Sequence, residues 1–162
     1  MVIWIIGLSG SGKSFYANKI NNKLKKKGKK TIIIDGDEIR KYITNDLNYN
    51  LKDREKNSKI IQKICYFLEN QGFIVICAIL SIIKKHQKEN RKLFNKYFQI
   101  YINTIKDNLI KKNKKKIYSL KKNVVGQDIK FPHPYKSDLE IDNNFDNDYE
   151  KNLRKILRIM NV

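Results

Sequence analysis

Five consecutive apolar residues, Val2 to Ile6, run directly into Gly7-Leu8-Ser9-Gly10-Ser11-Gly12-Lys13-Ser14, and apolar side chains at helical spacing follow. A wholly apolar run bounded by glycine reads as a strand buried on both faces. A buried strand joined by a glycine-rich loop to a helix commits the chain to an α/β architecture, with helices covering the sheet. Such a loop also turns backbone N–H groups inward around an anion at the positive end of the helix.

The rest of the chain repeats that alternation. Ser14 to Lys27 carries Phe15, Ile20 and Leu24 at helical spacing and stops at Gly28. Thr31 to Ile34 predicts a second strand, leading into the acidic turn Asp35-Gly36-Asp37. Asp53 to Asn70 reads as a helix with Ile60, Ile61, Ile64, Phe67 and Leu68 on one face, closed by Gly72. Phe73 to Leu80 predicts a third strand, Lys84 to Asn95 a polar helix, Tyr97 to Ile102 a fourth strand and Thr104 to Lys112 a short helix. The lysine-rich stretch Asn113 to Pro134 holds Gly126 and both prolines and reads as a mobile loop rather than a packed element. Leu139 to Ile141 and Tyr149 to Ile159 read as a last strand and a closing amphipathic helix. The expected fold is a three-layer α/β/α domain over residues 1–162, with a mostly parallel five-stranded sheet and a short lid at about 113–134.

Charge tempts toward a nucleic-acid role: 35 Lys and Arg oppose 16 Asp and Glu, a net charge of +19. Only five of the basic residues are Arg, the residue suited to bidentate phosphate and base recognition. Lys, Asn and Ile, all with A/T-rich codons, make up 75 of the 162 residues, so a biased genome could produce much of the basicity without any selection for a polyanion partner. The expectation is no dedicated nucleic-acid partner, but a field that attracts small anions and weakens with salt. There is no apolar run of membrane-spanning length and no basic region ahead of the first apolar stretch, so a cytoplasmic protein without a membrane partner is expected. Cys65 and Cys77 lie in apolar surroundings and suggest core positions. His86, on a polar helix, and His133, between two prolines, have no partners at metal-ligand spacing and read as surface residues.

Gly7 to Ser14 satisfies G-x-x-x-x-G-K-[ST] in full and lies between strand and helix, where a phosphate cradle must lie. Lys13 would reach the β- and γ-phosphates of ATP, and the Ser14 hydroxyl would ligate Mg²⁺. Asp35 emerges after the second strand at the carboxyl edge of the sheet, where a carboxylate can hold Mg²⁺ through water or accept the proton of an attacking hydroxyl. Arg40 and Arg54, in a lysine-dominated chain, precede or open helices facing the same edge and favour anion recognition.

These residues resemble those of the adenylylsulfate kinase (APS kinase) family, whose members transfer the ATP γ-phosphate to the ribose 3′-hydroxyl of adenosine 5′-phosphosulfate (APS) in sulfate assimilation. The resemblance spans about residues 2–143. It rests on the loop Gly7 to Ser14, on Asp35-Gly36-Asp37 with Arg40, on Asp46-Leu47-Asn48-Tyr49, and on Asp53-Arg54 with Asn57. Phe73 to Ser81 and Asn123 to Pro134 extend it. It implies that Lys13 and Ser14 serve MgATP, that Asp35 stands beside Mg²⁺ and the 3′-hydroxyl, and that Arg40, Arg54 and Asn57 hold the acceptor's phosphate and 5′ substituent. Asp37, Leu80, Val124 and Asp128 are the remaining expected acceptor-site residues. Tyr49 stands where the family usually has a base-stacking Phe. Ser81 matches a strand-end serine sometimes regarded as a phosphoryl acceptor, though direct transfer needs no phosphoenzyme and a binding or structural role suits it better. A homodimer is the assembly the resemblance suggests.

The family pattern is broken in three places. After the third strand, Ser81-Ile82-Ile83-Lys84 lacks the usual proline and aromatic, and the lid stretch Lys115 to Lys121 loses its glycine and lysine pair. Val124 occupies the position of a second base-stacking Phe. Losing one of two platforms, each worth about 1–3 kcal/mol per base, disfavours adenine more than a smaller pyrimidine. The expected activity is therefore APS kinase, with a 3′-kinase acting on a related nucleotide such as cytidine diphosphoramidate, in surface-polysaccharide modification, as the alternative. A catalytically impaired nucleotide-binding protein is a third reading, separated from the others by ATP turnover with an acceptor.

Overall fold

A computed structural model describes residues 1–111, 122–143, 145 and 149–161. Strand β1 (Val2–Ile6) is fully buried and forms the middle of the sheet, flanked by β3 (Ile74–Ile79) and β4 (Tyr97–Asn103). With β2 (Thr31–Asp35) and β5 (Leu139–Asp142) at the edges, the order is β2-β3-β1-β4-β5, and every pair is parallel. The chain leaves β1 toward β2 and β3 on one side and reaches β4 and β5 on the other. The carboxyl ends of the strands around β1 therefore form the crevice where such sheets bind ligands.

Alternate residues of each strand feed two separate cores. Ile3, Ile5, Ile76, Ala78, Ile100 and Ile102 pack beneath α1 (Lys13–Lys26) and the last helix, α6 (Tyr149–Ile159), through Tyr16, Ile20, Leu24, Leu153 and Ile156. Trp4, Ile6, Val75, Cys77 and Ile79 pack on the opposite face with Ile39 of α2 (Gly36–Tyr42), Ile61 and Cys65 of α3 (Leu51–Asn70), and Phe94 at the end of α4 (Lys84–Leu93). A short α5 (Lys106–Lys111) follows β4. The three-layer architecture is the expected one, and the sheet is parallel throughout.

Four local expectations are corrected. Gly36 opens a helix rather than completing a turn, because the Asp37 N–H donates to Asp35 Oδ1 at 2.9 Å and caps α2, so Arg40 lies inside that helix. Phe15 and Phe67 are exposed, the first because Tyr16 takes the inward position on α1, the second because the buried face of α3 runs through Asn57, Ser58, Ile61, Gln62, Cys65 and Glu69. His86 is buried, 4% exposed, and its Nδ1 lies 3.0 Å from Ser58 Oγ. The described part of the expected mobile loop, 122–134, is irregular but packed. Val124 and Val125 are buried, and Gly126, at φ 92°, approaches the Leu8 side chain so closely that an added Cβ would meet Leu8 Cδ2 at 3.0 Å. Residues 112–121, which include the altered lid stretch Lys115 to Lys121, lie outside the described residues. Cys65 and Cys77 are both buried, and desolvation together with their contact raises the Cys77 thiol pKa well above its ordinary value. No described helix is long and apolar enough to cross a membrane.

Candidate active site

The cradle begins with local backbone chemistry. α1 has no acidic residue in its first turn and no side-chain cap, so its N-terminal N–H groups are left for an anion. Gly12 precedes it at φ 97°, a conformation that disfavours a side chain, and a Cβ there would come within 2.8 Å of Asn143 Nδ2. That amide explains the loop's shape. Asn143, just past β5, donates from Nδ2 to the Ser11 carbonyl at 2.8 Å while its own N–H donates to Asn103 O at 2.7 Å. A residue 132 positions away thus pins the loop to the sheet, and no local signal around Ser11 announces it. Lys13 Nζ donates to Leu8 O at 2.7 Å, folded back over the loop where a phosphate would compete for it.

The Ser14 hydroxyl donates to Asp35 Oδ2 at 2.6 Å, while Oδ1 of the same carboxylate caps α2. One carboxylate thereby fixes the distance between the cradle and the second wall of the site. Between these walls lies a cleft of about 880 Å³. From the expected residues it brings together Ser9, Gly10, Gly12, Lys13, Ser14, Asp35, Asp37, Arg40, Tyr49, Arg54, Asn57, Leu80 and Val124.

Both arginines are held by main-chain oxygens. Arg40 donates to Leu47 O and Asn48 O at 3.2 and 2.9 Å, and Arg54 donates from Nε to Tyr49 O at 2.8 Å and from Nη2 to Asn123 O at 3.0 Å. Arg54 therefore ties the Tyr49 loop to the Val124 turn, so that these two side chains line one cleft. The guanidinium carbons lie 4.8 Å (Arg40) and 5.4 Å (Arg54) from the Tyr49 ring centroid. Burial, followed by repulsion from Arg40, lowers the Arg54 pKa, the mark of a cationic site that an anion would relieve.

Some expected residues stand elsewhere. Gly7, Leu8 and Ser11 belong to the loop but do not line the cleft. Asp128 does not reach it either. Its Oδ2 accepts the Val124 N–H at 2.9 Å, closing the turn that presents Val124. Ser81 is 2% exposed and faces α4, where Gln87 Nε2 donates to its carbonyl at 3.2 Å and to its Oγ at 3.4 Å. The structure does not bring that hydroxyl to the cleft. Conversely, Phe15, Lys41, Asn45, Lys122 and Asn123 line it without having been singled out in the sequence. Asn123 opens the quoted stretch Asn123 to Pro134 but carries no expected role there, and the other four lie outside the motifs, next to Ser14, Arg40 and Asn123 or near them along the chain.

The adenylylsulphate kinase family model matches residues 1–142. A cytidine diphosphoramidate kinase from Campylobacter jejuni is 36% identical over 162 residues, covering 97% of this chain and 94% of its own. An adenylyl-sulfate kinase from Prochlorococcus marinus is 35% identical over 149 residues, covering 88% of this chain and 74% of its own. In fold, an APS kinase from Mycobacterium tuberculosis, solved in complex with AMPPNP and APS, superposes with a TM-score of 0.91 over 99% of this chain and 97% of that one, at 24% identity. The enzyme class expected from the loop and the acidic edge, a phosphotransferase acting on an alcohol, is the class of these relatives. Matched by the family model over most of its length, and by a relative 36% identical along nearly all of it, the chain belongs to the adenylylsulphate kinase family.

Proposed function

We propose that this protein transfers the γ-phosphate of ATP to the ribose 3′-hydroxyl of a pyrimidine nucleotide with a modified 5′-diphosphate group, cytidine diphosphoramidate being the candidate acceptor. The observation that carries this is the base wall. Two aromatic residues line the cleft: Phe15 follows Ser14 on α1 at the cradle, whereas Tyr49 lies on the loop that Arg54 ties to the Val124 turn. On that side, with the branched aliphatic Val124 opposite in the tie, a base gains one stacking platform among the described residues. A second platform is worth about 1–3 kcal/mol, and a purine loses more by its absence than a pyrimidine. The Campylobacter relative, named for cytidine diphosphoramidate and aligned almost end to end, supports the same choice. A second reading keeps APS as acceptor, favoured by the family model and the Prochlorococcus relative.

In either case the chemistry is an in-line displacement that depends on positioning and charge neutralisation. The loop N–H groups and Lys13 hold the ATP phosphates, with the Lys13 ammonium moving from Leu8 O to a phosphate oxygen. Arg40 and Arg54 hold the acceptor's 5′ anion, and Tyr49 holds its base. The acceptor's 3′-oxygen attacks the γ-phosphorus, the bond to the ADP oxygen breaks, and Asp35 takes the hydroxyl proton. Ser14 and Asp35 offer adjacent oxygen donors, and no cluster of three or more His, Cys, Asp or Glu that could hold a metal occurs among the described residues. That set fits Mg²⁺, which takes few protein ligands and completes its shell with phosphates and water. Bound there, it would supply charge neutralisation at the transferring phosphoryl group.

The test is turnover of MgATP with cytidine diphosphoramidate and, separately, with APS, the phosphorylated position being read by ³¹P NMR. A higher kcat/KM for the cytidine nucleotide and loss of turnover in Lys13→Ala are expected. A clear preference for APS removes the pyrimidine reading, and no turnover with either leaves only a nucleotide-binding protein.

A further inference from the structure

Thr44 lies just past α2, 2% exposed, with its N–H donating to Ile39 O at 3.0 Å. Its Oγ1 is 2.5 Å from Asn57 Oδ1 and 3.5 Å from Ile39 O. A hydroxyl has a single proton to donate, and the nearer oxygen takes it. The amide is oriented with Oδ1 against that hydroxyl; a flipped amide would leave the hydroxyl proton only the Ile39 carbonyl, at 3.5 Å the outer limit of a hydrogen bond.

With Oδ1 committed to Thr44, Nδ2 is the donor the amide has left, and Asn57 lines the cleft beside Arg40 and Arg54. Asn57 is itself only 6% exposed, so its side chain has little room to rearrange. We propose that Thr44 is a positioning residue of the acceptor site: it locks the Asn57 amide so that an N–H donor, rather than a carbonyl, faces an anionic oxygen of the acceptor's 5′ group. The flipped amide would aim a partial negative charge at that anion. A hydroxyl outside the cleft thereby sets the polarity of a residue within it. The inference rests on the acceptor site proposed above and goes beyond it by assigning a role to a residue that cannot touch the nucleotide.

Thr44→Val removes the hydroxyl at nearly constant shape, Thr44→Ala does so with less bulk, and Thr44→Ser retains it. Steady-state kinetics with MgATP and the preferred acceptor nucleotide, together with thermal unfolding, separate the possible outcomes. The expected result is an acceptor KM raised about tenfold in the Val and Ala variants, an ATP KM within about twofold of wild type, and recovery in Thr44→Ser. An unchanged acceptor KM in a folded Val or Ala variant overturns the inference. Equal increases in both KM values, tracking a loss of thermal stability, also overturn it, since a merely structural hydroxyl would act that way. Failure of the wild-type chain to phosphorylate either cytidine diphosphoramidate or APS overturns the acceptor reading and this inference with it.

Discussion

Ser14 Oγ and Asp35 Oδ2, 21 residues apart in sequence, lie 2.6 Å from each other, and the other oxygen of that carboxylate caps α2. Asp35 therefore combines two roles that substitution can separate. Asp35→Asn keeps an oxygen for the Asp37 N–H but cannot accept a proton from the 3′-hydroxyl. It should lower kcat by about 10²–10⁴-fold with little change in Tm. Asp35→Ala should lose the same activity and a further ~1 kcal/mol of stability with the cap. Rapid-quench kinetics and calorimetry on the two variants check this. Retention of near wild-type kcat in Asp35→Asn would remove the proposed base.

The hold of Asn143 on the Ser11 carbonyl predicts an effect on the donor nucleotide alone. Asn143→Ala strands a buried carbonyl and frees the loop, a loss of about 1–3 kcal/mol, and the KM for ATP should rise about tenfold or more. The acceptor KM should stay within about twofold. Titration calorimetry with a non-hydrolysable ATP analogue measures the change directly.

Val124 predicts a switch of base preference. Val124→Phe adds an aromatic side chain on the turn tied to the Tyr49 loop and should shift the ratio of kcat/KM for APS over cytidine diphosphoramidate toward APS by about tenfold. Competition between the two acceptors in one reaction reads the ratio without separate KM values. An unchanged ratio would mean that position 124 does not select the base.

His86 predicts a pH dependence of stability. Desolvation lowers its pKa from the ordinary 6.5, outweighing the pull of Glu89 and Glu55, and Lys59 and Lys85 push in the same direction as burial. The unfolded chain then binds more protons than the folded one between the depressed value and 6.5, so the His86 contribution to stability falls as pH drops below 6.5. The slope for one such group is at most about 1.4 kcal/mol per pH unit. His86→Gln should flatten a Tm-against-pH curve in that window. The lowered pKa of Glu89, paired with Lys59 at 2.8 Å, acts in a separate, more acidic range, where stability is lost as pH falls below 4.5.

The parts of this molecule governed by local chemistry could be read from the chain. The apolar run Val2–Ile6 had to be a buried strand, the glycines of the loop had to precede a helix, and Asp35 had to emerge at the sheet edge after a β-branched strand. What escaped depended on distant packing. Asn143 reaches Ser11 across 132 positions, and Ser81 turns toward Gln87 rather than the cleft because α4 packs against that side of the sheet. The 122–129 turn reads as part of a mobile loop because it falls in the lysine-rich stretch Asn113 to Pro134. Yet two buried valines and the Asp128 carboxylate on the Val124 N–H give it a defined shape. His86 reads as a surface residue from its polar helix and is buried only because α3 offers Ser58 to its ring.

The Arg54 bridge from Tyr49 O to Asn123 O joins two pieces of chain with unequal freedom to evolve. Asp35 and Arg40 sit on β2 and α2, which pack against the sheet, whereas Val124 sits on a small turn closed within itself by main-chain bonds and the Asp128 carboxylate, a unit that can be exchanged whole. If position 124 selects the base as proposed, a change of acceptor can proceed by exchange of that turn while Lys13, Ser14 and Asp35 stay as they are. Grafting residues 122–129 between relatives is the corresponding route to redirecting one enzyme toward another nucleobase.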